Sequence, residues 1–304
     1  MTTMTCTQFP MTIIASGLAA AAVACGDTGD GGPPGTLNVT VSGEQAAVEG
    51  YPVGEGTTEI GFADGWRLQF AHVVVSLADF TLRTADGNDA QLDAEPVVAD
   101  LALGEPNVWE FDDVPSRRWD RVGFRYAHAS AEARMANAVD DDLLDAMIED
   151  NLSFLVEGTA EKAGRQVDFR FGFGFEVDLG HCVSGLDGTD GLVIPAGAAS
   201  EAQITVHLDH LFFDSFARDD AALRFDAMAA LAETGAPLTL DALAAQDNLS
   251  DLVDEDGEPL DLGYDSGSTF DPVPENLRDY VIAAATTTGH FNGEGHCDYE
   301  RSDR

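Results

Sequence analysis

The sequence predicts a mainly β chain: an antiparallel β-sandwich with a helical insertion in its C-terminal half. Three observations carry that expectation. From Val167 to Val177 the apolar residues Val167, Phe169, Phe171, Phe173, Phe175 and Val177 fall on every second position, the period of a strand with one buried face. Short β-branched and aromatic runs recur between Gly and Asp turns such as Asp64-Gly65 and Asp86-Gly87. Finally, acidic runs open two helix-like stretches, Asp140-Asp141-Asp142 before LLDAMIED and Asp219-Asp220 before an Ala-rich run, which suits helix N-termini because carboxylates offset the positive end of the helix dipole.

Element by element, residues 1–25 carry no charged side chain, and Met11–Ala24 is a 14-residue apolar run. That length fits the hydrophobic stretch of a signal peptide and is too short to span a bilayer. Residues 1–24 are therefore expected to be a signal peptide, and 25–36, rich in Gly, Asp and Pro, a flexible tether. A single domain is expected over 37–304. Strands are expected at Leu37–Val41, Trp66–Leu82, around Val122–Tyr126, at Phe154–Thr159 in a hairpin with Val167–Val177, and at Gln203–Leu208. Helices are expected within Ala131–Asn151 (starting at the Asp140-Asp141-Asp142 run), Asp219–Glu233, Asp241–Gln246 and Glu275–Ala285. The insertion should occupy about 215–285.

Charge narrows the function classes. Against 15 Lys+Arg stand 55 Asp+Glu, a formal net charge of −40 in 304 residues. Lys162 is the only lysine. A nucleic-acid binder needs a basic footprint to displace counterions from phosphates, so that class is excluded. A polybasic grip on anionic lipid is excluded for the same reason. Disorder is not implied, because 44% of the residues are hydrophobic and fall in periodic runs.

The scarce residues carry more chemistry. A tripeptide occurs twice, as Gly180-His181-Cys182 and Gly295-His296-Cys297. With Cys6 and Cys25 assigned to the leader, Cys182 and Cys297 remain for the body. In an oxidising compartment they would form one disulfide; two metal-bound thiolates are the alternative. A bridge would bring His181 and His296 close together. His290 and Glu294 lie just before His296, in GHFNGEGHC, where the glycines permit tight bends. In the segment His207-Leu208-Asp209-His210, His207 and Asp209 share a strand face, and a bend after Leu208 would bring His210 round.

Imidazoles with one carboxylate suit Zn, Cu or Fe rather than Mg or Ca. A metal site is thus expected from among His181, His207, Asp209, His210, His290, Glu294 and His296. The alternative is that these residues only brace strands and the disulfide. His128 continues the apolar face of Val122, Phe124 and Tyr126 and reads as a core-edge residue, and Trp66, Trp109 and Trp119 as core. The Asp-rich turns Leu186–Gly191 and Asp254–Gly257 offer oxygen donors but read as solvated turns. Neither a GxSxG elbow nor a Walker loop is present, and no catalytic residue is singled out.

Two resemblances add to this reading. Ala22-Val23-Ala24-Cys25 resembles the lipobox of bacterial lipoproteins, which implies cleavage before Cys25 and acylation of its thiol. The same bond is also an Ala-x-Ala site for an ordinary cleavable signal peptide. The segment FADGWRLQFAHVVVSLADFTLRTADG, with the later VWEFDDVPSRRWDRVGFRYAHA, looks like the β-sandwich lipoproteins of the MbnP type associated with periplasmic copper handling. That resemblance implies a sandwich and a link to copper, without assigning ligands.

Together these expectations describe an exported, lipid-anchored binding protein on the periplasmic or cell-surface face of a bacterial membrane. It would touch the bilayer through its acyl chain only and hold Cu or Zn through histidines of its C-terminal half. The competing class is a structural or protein-recognition lipoprotein with no metal. Neither is an enzyme.

Overall fold

The computed structural model describes residues 32–301 except 87, 88, 93, 255 and 261. The expected leader, Cys25 and most of the tether lie outside the described residues. The chain is mainly β, with 39% of residues in strands and 16% helical. No helix among the described residues is long and apolar enough to cross a membrane.

The larger sheet is built on Arg67–Arg83, a 17-residue strand that pairs antiparallel with Phe154–Lys162 along its first half and with Arg121–Tyr126 along its second. Arg165–Phe173 extends the sheet on one side, and Val177–Gly180 with Asp298–Arg301 on the other. The smaller sheet runs in the order Gly289–Phe291, Ala199–Val206, Gly35–Ser42, Asn107–Val114. Residues from both sheets share one core, with Phe80 of the larger sheet 5.7 Å from Trp109 and 5.9 Å from Phe111 of the smaller. The three tryptophans are all buried.

Alternation explains how the long strand serves two cores. Val73 and Val75 point into the main core, whereas Val74 faces the other way, with Val98 and Leu155. That outer face is covered by helix α2, Asp141–Glu149, through Leu143 and Met147. The expected N-terminus is where the acidic run placed it: the Asp140 side chain accepts from the Asp142 amide.

Several expectations need correction. The two central strands of the smaller sheet, Gly35–Ser42 and Ala199–Val206, run parallel, so the sheets are not wholly antiparallel. The Val167–Val177 alternation is not one strand. After Phe173 the chain leaves its hairpin partner and re-enters the sheet beside Arg121–Tyr126 as Val177–Gly180. Ser153 Oγ donates to both Phe173 and Phe175 carbonyls at the step, and Phe175 stays buried.

The stretch Asp219–Glu233 yields only a four-residue helix, α3, Asp226–Ala229. Its first part is taken by other partners: Leu223 bridges to Phe62 and Phe213, and Asp64 Oδ2 accepts from the amides of Phe225 and Asp226. Asp241–Ala245 is a 3-10 turn. Leu277–Ala285 forms the longer helix α4, capped by the Asn276 side chain. Between these, 215–285 is largely turns and single bridges.

Candidate metal centre

The parallel pairing in the smaller sheet decides what gathers at its end. Ser42 and Thr205 form the last rung between Gly35–Ser42 and Ala199–Val206. Because the strands run the same way, both chains leave the sheet at the same edge. Two residues beyond the rung stand Glu44 on one chain and His207 on the other. Glu44 opens the short helix α1, Glu44–Glu49, with a positive φ of 55°, and its amide donates to Ser42 Oγ.

His207 still has extended backbone, and a 3-10 turn over Leu208–Leu211 follows at once. The expected strand through Leu208 thus ends at Val206, and the turn, not a shared strand face, sets Asp209 beside His207. It carries Asp209 and His210 back toward His207, so that ligand atoms of all three lie within 4.8 Å of one another. The His210 Nδ1 is 2.9 Å from Thr287 Oγ1, which leaves its Nε2 as the available nitrogen.

The third element is the edge strand Gly289–Phe291. His290 is the register partner of Thr205, and the His207 amide donates to Thr288 O. Beyond the strand, Asn292 (φ 51°) and Gly293 (φ 84°) reverse the chain, and Phe291 N donates to Gly295 O. Gly295 is required by close approach: a Cβ there would sit 2.0 Å from Val183 O and 2.3 Å from Phe291 O. The reversal presents Glu294 and His296. Cys297 is bonded to Cys182, 115 residues earlier, and Val183 N donates to His296 O, so the loop is stapled to the larger sheet's margin. Bonded cysteines are not thiolates, which removes them as ligands.

The rings of His207, His210 and His290 therefore converge, and His296 joins them through His290. Ring centres lie 4.2 Å apart for His207 and His290, 5.1 Å for His210 and His290, 5.7 Å for His207 and His210, and 4.9 Å for His290 and His296. His207 Nδ1 is 3.9 Å from each of three carboxylate oxygens, on Glu44, Asp209 and Glu294, and its Nε2 is 3.4 Å from Gly293 O. His290 Nδ1 is buried with no hydrogen-bond partner. A buried imidazole nitrogen without a partner is uncommon, and backbone groups of Glu294 and Thr287 beside the same ring favour its protonated form.

Burial sets the charge state. It pushes the His210 imidazolium pKa down to about 3 and that of His290 down to about 4, helped in each case by the neighbouring histidines. Both rings are neutral at pH 7, so each carries one N–H and one lone-pair nitrogen. Burial raises the Asp209 carboxyl, opposed by His207 and reinforced by Glu44 and Glu294. Tyr51, buried beside the site, has its phenol raised well above the usual range by burial and by the charges of Asp209 and Glu44.

Of the expected ligands, His207, Asp209 and His210 offer ligand atoms within 4.8 Å of one another, as do His207 and Glu294 together with Glu44; the His290 ring packs on those of His207 and His210, and the exposed His296 touches His290. His181 is exposed and turned to Asp298, 3.3 Å away, and makes none of these ring contacts. The Asp187 carboxylate accepts from the amide and hydroxyl of Thr189, and Asp254 accepts from the amides of Asp256 and Glu258, so both turns use their oxygens on their own backbone. Glu255 of the second turn is outside the described residues. Glu44 was not singled out by the sequence. Its only local signal is a carboxylate two residues past a strand, one among 55 acids. Compared with protein-family models, with curated proteins and with solved structures, the chain matches none.

Proposed function

We propose that this chain is an extracytoplasmic, lipid-anchored binding protein that holds a transition metal, Cu or Zn. His207, Asp209 and His210 are the central ligands, and His290 and His296 close the imidazole side. The observation that carries this is the grouping of His207, Asp209 and His210 ligand atoms within 4.8 Å of one another, with the buried His290 ring 4.2 Å from that of His207. Imidazole and carboxylate donors, with no thiolate, suit Zn and Cu. The disulfide favours an oxidising compartment. The lipobox-like leader supports acylation at Cys25, and the two sheets about one core support a β-sandwich.

Elemental analysis of the purified protein beside a His207→Ala, His210→Ala double variant tests the metal. One equivalent of metal in the native chain and none in the variant is expected; equal content in both overturns the reading. Mass spectrometry of the membrane fraction tests the anchor. A diacylglyceryl Cys25 at the mature N-terminus is expected, and an unmodified secreted chain overturns it.

A further inference from the structure

The oxygen atoms around His207 say which charge the ion carries. Glu44 Oε2, Asp209 Oδ1 and Glu294 Oε2 each lie 3.9 Å from its Nδ1. That separation is too long for a hydrogen bond. It is, however, near the spacing of donors that share one ion, since ligands bonded at about 2.0–2.2 Å stand about 3 to 4 Å apart; Glu44, His207 and Glu294 form one such set within 4.8 Å of one another, and His207, Asp209 and His210 a second that shares its histidine. The side chain of His207 is only 4% exposed, while those of Glu44 and Glu294 are 44% and 82% exposed. A buried nitrogen thus faces two carboxylates that can swing in from solvent.

Two features show that this is more than an acidic surface. Glu44 is aimed by a fixed device: the parallel rung Ser42–Thr205, the bond from its amide to Ser42 Oγ, and a left-handed backbone at a non-glycine residue. Glu294 is aimed by the Asn292-Gly293 reversal, whose Gly293 amide donates to Thr205 Oγ1. Both devices hang from the same residue, Thr205. Beside them the buried Nδ1 of His290 lacks a partner, on a ring 4.2 Å from that of His207. Three like charges gathered on one nitrogen repel one another, and a cation among them removes the repulsion.

We infer that Glu44 and Glu294 are metal ligands on the Nδ1 side of His207, and that with Asp209 they select a divalent ion of the Zn2+ class over monovalent Cu+. This rests on the metal-binding reading above and refines it. Zn2+ accepts imidazole and carboxylate donors together, and each carboxylate offsets part of its charge. Cu+ is softer, carries one charge, and gains less from hard oxygen donors.

The test is competitive titration of Zn2+ into the full chain, comparing the native protein with Glu44→Gln, Glu294→Gln. These are near-isosteric changes at exposed positions, and circular dichroism confirms that the variant is folded. Zn2+ binding is expected to weaken at least 10–100-fold, the loss typical even of outer-sphere partners. Cu+, presented under ascorbate, is expected to bind both proteins equally. A Glu49→Gln, Glu110→Gln variant removes the same charge from exposed positions not paired with His207 and should bind Zn2+ like the native chain.

Unchanged Zn2+ affinity in Glu44→Gln, Glu294→Gln overturns the inference, as does an equal loss in the control pair, which would mean bulk charge. The His207→Ala, His210→Ala variant separates the two readings. If it loses metal while the glutamine variant keeps full Zn2+ affinity, only the carboxylate assignment fails. If it retains metal, the proposed site itself fails.

Discussion

Glu44 and His207 meet, Oε2 to Nδ1 at 3.9 Å, because each stands two residues past the same rung of a parallel strand pair. In an antiparallel pair the two chains would leave the sheet at opposite ends. The parallel register thus converts two segments far apart in the sequence into neighbours. The edge strand bearing His290 adds the third side.

Acid should unfold the metal-free protein along a defined window. The His210 and His290 pKa values are depressed in the folded state, to about 3 and about 4, from about 6.5 in the unfolded chain. The unfolded chain therefore binds more protons between those limits. Stability from these two groups is full above about pH 6.5 and is lost as pH falls toward 4 and then 3. Thermal melts from pH 7 to pH 4 should show a falling midpoint, and a His210→Gln, His290→Gln variant should flatten the slope across that window. An unchanged slope in the variant would show that other groups control the acid response.

The disulfide should matter for both stability and the site. Cys182 and Cys297 close a loop of 115 residues, for which chain entropy gives about 4–5 kcal/mol. Cys182→Ser, Cys297→Ser should lower the denaturant midpoint accordingly. It should also weaken metal binding, since His296 and Glu294 sit on the stapled loop.

Gly295→Ala separates the loop from the fold. The added Cβ has no room against Val183 O and Phe291 O, so the Asn292–His296 turn must shift. Metal affinity is expected to fall by at least tenfold, on the scale of displaced supporting groups. The melting midpoint should move much less than in the disulfide variant. A variant that binds metal normally would show that the turn's position does not set the site.

Asp64 pins α3 to the body through two backbone amides, with Phe225 N 2.6 Å and Asp226 N 2.8 Å from Oδ2. Asp64→Ala leaves both donors without an acceptor and should cost about 1–3 kcal/mol in chemical unfolding. Asp64→Asn keeps an acceptor oxygen and should cost less. Equal effects would mean that charge, not hydrogen bonding, anchors the helix.

Local pattern made much of this legible. Alternation located the strands around Val39 and Phe169, β-branched and aromatic content between turns located the one around Val74, and the Asp140 run located α2. The scarce histidines and the glycines around His290 marked segments that the fold does bring near one another, but the strand face expected for His207 and Asp209 ends at Val206, and a 3-10 turn places Asp209 instead. What failed was set by distant partners. The Phe175 face continued in sequence, but the chain had changed neighbours in the sheet. The Ala-rich run after Asp219 had helical propensity, but Asp64 and Phe62 held its first half in other bonds. Glu44 was invisible because its role comes from strand direction, which no local pattern encodes.

The strand Gly35–Ser42 is clamped between two neighbours, Ala199–Val206 and Asn107–Val114, and is the first strand after the expected tether. A pull applied along it from its N-terminal end meets its rungs in shear, loading them together rather than peeling them one at a time. The same strand ends at Glu44. Sliding it toward its N-terminal end would draw the Glu44 carboxylate away from His207, which belongs to the neighbouring strand's continuation.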